Sequence, residues 1–106
     1  MNDNSTICAL STPLGQGAIA VIRVSGANAI SVCNRIFKPA GKNVFPPELG
    51  GRGAVLSFGR IVRNEEIIDE VMVSVFHAPR SYTGEDIVEI SCHGSLYIRR
   101  EILRLL

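Results

Sequence analysis

The segment that most restricts the fold is Ala18–Ser25 (AIAVIRVS), which follows a turn containing Gly15 and Gly17. Four of its eight residues are β-branched, and such side chains favour a strand over a helix. Gly15, Gly17 and Ala20 match the dinucleotide-binding pattern G-x-G-x-x-G/A. That fingerprint requires a helix to begin at the turn and an acidic residue about twenty positions later. Both are missing, so the turn, with Pro13, is predicted to join two strands. Its backbone N–H groups can still line a ligand pocket.

The composition is that of one globular domain in a reducing environment. The chain has 106 residues, 46% of them hydrophobic and 20% charged, and a net charge of +1. This charge gives no strong attraction to nucleic acid or to an anionic membrane. The three cysteines, Cys8, Cys33 and Cys92, are odd in number and follow no secretion signal, which argues against a disulfide framework. No apolar stretch approaches the roughly 20 residues of a membrane helix. We therefore expect a cytoplasmic protein that does not enter a membrane.

The hydrophobic periodicity predicts seven elements in the order β-β-α-β-β-β-α. The fold class expected is α+β, with a mixed, largely antiparallel sheet of about five strands and two helices. Ser25 is expected to cap the first helix, whose apolar stripe ends at Ile36 and Phe37. The strands are predicted at Ser5–Leu10, Ala18–Ser25, Arg52–Arg63, Ile67–Pro79 and Asp86–Gly94, with a hairpin turn at Asn64–Glu66, loops at Lys38–Gly51 and Arg80–Glu85, and a last helix at Ser95–Leu106.

The last helix carries an apolar stripe that no Gly, Asn or Pro terminates. We therefore expect residues 1–106 to be one domain of a longer chain.

Two charged residues, Arg23 and Glu89, interrupt apolar strands (AVIRV and DIVEIS). A charge on a partly buried sheet face needs a partner, because desolvating it unpaired costs several kcal/mol. Three arrangements satisfy this requirement: the two residues pair with each other, each faces water, or they hold a ligand. A carboxylate can accept two parallel hydrogen bonds from an aminopyrimidine ring, and a guanidinium can grip an oxygen in the same forked manner.

Other chemically active residues form no recognisable catalytic or metal site. Cys92 and His93 are adjacent on a predicted strand and so point to opposite faces, which argues against a nucleophilic pair. His93 is expected to cap or pack at the strand-to-helix turn, and His77 is interpreted as structural. The sequence lacks G-x-x-x-x-G-K-[ST], so this segment has no P-loop with which to hydrolyse a nucleotide. We assign no catalytic residue and no metal ligand to it.

Two stretches together carry a family resemblance: STICALSTPLGQGAIAVIRVSG near the start and RSYTGEDIVEISCHGS near the end, about sixty residues apart. They resemble the amino-terminal folate-binding domain of the tRNA modification GTPases of the MnmE (TrmE) family. The resemblance covers nearly the whole chain. It departs from the family pattern at Gln16, where arginine is more frequent, and at Ser95, where glycine is more frequent.

The resemblance implies that residues 1–106 form a domain that dimerises and binds a tetrahydrofolate derivative, for which 5-formyltetrahydrofolate is an analogue. The family's folate-contacting arginine and glutamate correspond to Arg23 and Glu89. The longer family proteins carry a helical domain and a G domain that uses GTP, potassium and magnesium. With the flavoprotein MnmG they add an aminomethyl or carboxymethylaminomethyl group to C5 of the wobble uridine of tRNA. Two alternatives remain: a structural dimerisation module whose Arg23–Glu89 pair is internal, and a stand-alone aminomethyltransferase-like enzyme.

Overall fold

A computed structural model describes residues 6–10, 19–41, 45, 54–77 and 85–106. They form six strands and two helices. The elements are β1 (Ile7–Leu10), β2 (Ile19–Ser25), α1 (Ala29–Asn34), β3 (Phe37–Pro39), β4 (Ala54–Arg63), β5 (Glu66–Phe76), β6 (Ile87–His93) and α2 (Leu96–Leu105). The predicted glycine turn at Pro13–Gly17, most of the loops at Lys38–Gly51 and Arg80–Glu85, and Gln16 lie outside the described residues.

The six strands form one sheet in the order β1-β2-β6-β5-β4-β3. Every described pairing in it is antiparallel. The expected α+β class with a largely antiparallel sheet is therefore confirmed, with six strands in place of about five. The pairing of β2 with β6 joins strands that are far apart in the sequence. Residues from the two ends of the chain thereby become neighbours.

The prediction for residues 25–39 was wrong in two details. Ser25 ends β2 and does not cap α1, whose N-cap is Asn28, without a side-chain capping bond. The helix stops at Asn34, and Phe37 begins the short strand β3, which pairs with β4. The apolar stripe wrongly extended the predicted helix to Phe37. Phe37 is fully buried, but by the sheet and by the ring of Phe45 rather than on a helix face. The centroids of the two rings are 5.1 Å apart.

The β4–β5 hairpin confirms the predicted turn. Its two central residues, Asn64 and Glu65, have φ values of 48° and 71°. Left-handed backbone at both central positions is the type I′ geometry, whose twist matches that of the flanking strands. Asn adopts this conformation readily, whereas Glu pays a steric cost for it.

The two faces of the sheet differ. One face is covered by both helices, which contribute Ala29, Cys33 and Ile102 to a continuous core with the inward residues of β2, β5 and β6. The other face, here called the open face, carries exposed apolar side chains: Ile7, Ile19, Leu56, Phe58 and Met72. The longer described helix, α2, has ten residues, and no helix in the described ranges has the length and hydrophobicity to cross a bilayer.

Candidate functional site

Arg23 and Glu89 lie directly opposite each other on β2 and β6. The Arg23 Nε and Nη2 groups donate to Glu89 Oε2 at 3.0 and 2.7 Å. The Arg23 side chain is 37% exposed and that of Glu89 is 20% exposed. The structure therefore brings together two residues that are 66 positions apart, and holds them at the open face within reach of a ligand.

Strand alternation places this pair on the open face. Ile22 and Val24, on either side of Arg23, are buried beneath the helices, as are Val88 and Ile90 on either side of Glu89. Because successive strand residues point to opposite faces, the intervening charges must emerge on the other side. The apolar neighbours thus fix the orientation of both charged residues.

A cavity of about 180 Å³ adjoins Arg23 at the β1–β2 edge of the open face. Ile7, Ala9, Arg23 and Ser25 line it. In the β1–β2 register Ala9 stands opposite Arg23, and Ile7 stands opposite Ser25. Each of these cross-strand pairs therefore joins one apolar and one polar residue. The Ser25 hydroxyl donates to Glu85 Oε2 at 3.3 Å. The cavity therefore offers a guanidinium beside a small apolar surface.

Ser74 on β5 is the other neighbour of Glu89, which it faces directly in the β5–β6 register. The open face consequently presents a row of small or polar residues, Ala9, Arg23, Glu89 and Ser74, across four adjacent strands. The sequence reasoning did not identify Ser74, because a lone serine in a strand carries no signal until the register is known.

Cys92 and His93 are adjacent on β6 but have different surroundings. Cys92 is buried under the helices, and this burial, followed by the charge of Asp69, raises the pKa of its thiol to about 11. The His93 side chain is 70% exposed and binds Asp69, through its ring Nδ1 at 2.6 Å and its backbone N–H at 2.8 Å. The sequence reasoning missed Asp69, whose role depends on the β5–β6 pairing.

His77 lies near an acidic residue: its Nδ1 is 3.6 Å from Asp86 Oδ1. Within residues 6–10, 19–41, 45, 54–77 and 85–106, no three His, Cys, Asp or Glu side chains are grouped closely enough to hold a metal ion.

Comparison with known proteins places the chain among relatives of one kind. Residues 6–106 match the model of the family described as GTP-binding protein TrmE N-terminus. The chain is similar to proteins named tRNA modification GTPase MnmE. Identity is 53% to that of Parabacteroides distasonis, over 96% of this chain and 22% of the relative. It is 53% for Bacteroides thetaiotaomicron, over 98% and 22%, and 50% for Streptococcus thermophilus, over 95% and 21%. The chain thus spans about a fifth of the length of these curated relatives.

Proposed function

The chain belongs to the family of the GTP-binding protein TrmE N-terminus, and we propose that it is the domain with which a tRNA modification GTPase binds a tetrahydrofolate one-carbon donor and dimerises. The observation that carries the folate proposal is the Arg23–Glu89 pair, two opposite charges held on one face and only partly buried. In this proposal Glu89 accepts hydrogen bonds from the aminopyrimidine edge of the reduced pterin. Arg23 holds another polar part of the cofactor. Neither residue has to transfer a proton.

The hydrogen-bond geometry supports an exchange of partners on binding. Both bonds from Arg23 end on Glu89 Oε2, so neither uses Oε1. A forked donor needs both carboxylate oxygens, so its binding would displace Arg23 from Glu89 Oε2. A partly exposed cross-strand ion pair contributes only about 0–1 kcal/mol. The exchange therefore costs little compared with two charge-assisted hydrogen bonds, which contribute about 1.5–3 kcal/mol each.

A ligand-free alternative predicts the same contact. In a purely structural dimerisation module, Arg23 and Glu89 would satisfy each other permanently, and their bond would have no further role. The two proposals differ in their consequences for folate affinity and not in the geometry of the pair. The measurement that separates them is therefore a binding titration.

Calorimetric titration of the full-length protein with 5-formyltetrahydrofolate tests the folate proposal. Glu89→Gln keeps the shape of the side chain but replaces one acceptor oxygen by a donor, and should weaken binding by about ten- to a hundredfold. Arg23→Gln should also weaken it. Arg60→Gln and Glu65→Gln, which change exposed residues of β4 and of the hairpin turn, serve as controls and should bind normally. Unchanged affinity in both site variants would remove the pair from the site.

Dimerisation is supported by the apolar residues of the open face. Leu56 is 64% exposed and Ile7 is 62% exposed, and several such side chains on one face are typical of an interaction surface. Sedimentation velocity should detect a dimer that Leu56→Glu weakens. A monomer at micromolar concentration would refute this part of the proposal without affecting the folate titration.

The wider role follows from the relatives' name and from the resemblance. We place the protein in the cytoplasm, where with the flavoprotein MnmG it would modify C5 of the wobble uridine of tRNA. GTP, potassium and magnesium would be bound by a G domain outside residues 1–106. A deletion strain should lack the modified uridine. The unmodified gene should restore the modification, and its Glu89→Gln variant should not. Restoration by that variant would separate the modification from the folate site.

A further inference from the structure

Asp69 and His93 form a fixed acid–imidazole pair at one end of the β5–β6 ladder. Asp69 is 8% exposed, and its two oxygens bind two different groups of His93. Oδ2 accepts the backbone N–H at 2.8 Å, and Oδ1 lies 2.6 Å from ring Nδ1. A single carboxylate therefore holds both the backbone and the ring of His93, which fixes the orientation of the imidazole.

This contact determines which ring nitrogen carries the proton. A carboxylate only accepts hydrogen bonds, so Nδ1 must be the N–H donor in the neutral ring. The remaining nitrogen, Nε2, then carries a lone pair. The His93 side chain is 70% exposed, and no residue in the described part of the chain bonds Nε2. The pair therefore presents an oriented hydrogen-bond acceptor at the surface.

His93 lines a groove of about 250 Å³, together with residues of β2, β4, β5 and β6 that include the buried Val71 and Cys92. Ile19, Phe58 and Met72 supply apolar walls, and His93, Ser91 and Glu70 supply the polar groups. Drug-sized ligands occupy cavities of roughly 300–1,000 Å³, so this groove suits a single ring with a short side arm. Glu70 stands opposite Arg60 in the β4–β5 register, and its carboxylate adds a second hydrogen-bond acceptor to the groove.

We propose that the groove beside the Asp69–His93 pair is a binding site for a small primary amine carried on an apolar ring. The ring packs between Ile19, Phe58 and Met72, and the amine donates a hydrogen bond to His93 Nε2. Asp69 acts as a positioning residue that keeps the lone pair directed outwards. A ligand with an acceptor-only head, such as a carboxylate, meets a second acceptor and is rejected.

This site is separate from the Arg23–Glu89 pair. His93 follows Glu89 by four residues on β6, a separation of about 13 Å along a strand. The inference rests on the Asp69 contact and the groove, and does not require folate binding. Its failure would leave the folate proposal intact, and the reverse also holds.

The first test is the tautomer of His93 in the unmodified protein. Long-range proton–nitrogen NMR on histidine-labelled full-length protein, recorded on the neutral ring, should show the proton on Nδ1. Asp69→Asn should abolish this preference. His77, whose Nδ1 is 3.6 Å from Asp86, provides an internal reference. A proton on Nε2 in the unmodified protein would overturn the proposal, because the ring would then present a donor.

The second test compares two probes of similar size, benzylamine and benzoate. Benzylamine should cause a saturable shift of the His93 Nε2 resonance, and benzoate should not. His93→Phe keeps an aromatic ring but removes the acceptor, and should weaken benzylamine binding about tenfold, the value of one hydrogen bond of about 1.4 kcal/mol. Phe58→Ala should also weaken it, whereas Leu56→Ala, on the same face but outside the groove lining, should not. Binding of benzoate alone, of neither probe, or of both equally would refute the proposal.

Discussion

Alkaline pH should destabilise the protein through the buried thiol of Cys33. Cys33 lies on α1 with no exposed surface, and burial, followed by the influence of Cys8, raises the pKa of its thiol from 9.0 to about 12. In the unfolded chain the same thiol ionises near its ordinary value. Because the pKa is higher in the folded state, the stabilisation is fully present below pH 9 and is lost as the pH rises towards 12.

The magnitude follows from the linkage of protonation to folding. Between the unfolded and folded pKa values, one thiol lowers the free energy of unfolding by about 1.4 kcal/mol for each pH unit. Cys92, whose pKa is raised to about 11, adds a similar slope over the lower part of the range. Both thiols together should therefore give roughly twice that slope between pH 9 and about 11.

Urea denaturation at a series of alkaline pH values measures this slope. Cys33→Ala removes the thiol, and the cavity it leaves lowers stability equally at every pH, so the comparison uses the slope and not the absolute stability. The variant's slope should be shallower than that of the unmodified protein by about 1.4 kcal/mol per pH unit. Cys8→Ala, which removes an exposed thiol, is the control and should change the slope little. Parallel curves for Cys33→Ala and the unmodified protein would refute the reasoning.

Substitutions at three further positions test the local structure by urea or thermal denaturation. Gly59→Ala should lower the free energy of unfolding by about 1–3 kcal/mol, because the added Cβ would collide with the Lys38 carbonyl and lie 2.7 Å from Phe37 Cζ. An unchanged denaturation midpoint would mean that β3 does not pack against Gly59. Glu65→Gly should raise stability by up to about 1 kcal/mol, since glycine relieves the left-handed strain at φ 71°, and a loss would contradict the type I′ turn. Ser95→Ala should cost about 1 kcal/mol and Ser95→Gly only a few tenths, because the serine hydroxyl accepts the Ile98 N–H at the start of α2; equal costs would argue against capping.

Local sequence patterns predicted correctly the elements whose conformation depends on neighbouring residues of the chain. The β4–β5 hairpin followed from two alternating strands on either side of Asn64–Glu66, and α2 followed from its apolar stripe. Residues 35–39 were mispredicted because an apolar residue can be buried either on a helix or on a strand, and its hydrophobicity does not say which. Phe37 is buried by β4 and Phe45, and neither partner can be read from its own segment.

The sequence by itself showed that Arg23 and Glu89 interrupt apolar strands and need a partner, because an unpaired charge on a partly buried sheet face is costly to desolvate. It also carried the two motif stretches through which the family was identified. Only the tertiary structure decided that β2 pairs with β6 in a register that sets these charges face to face, and that Asp69 fixes His93. Strand pairing joins backbone groups that all strands possess, so its partners are selected by how the whole core packs and not by any one segment.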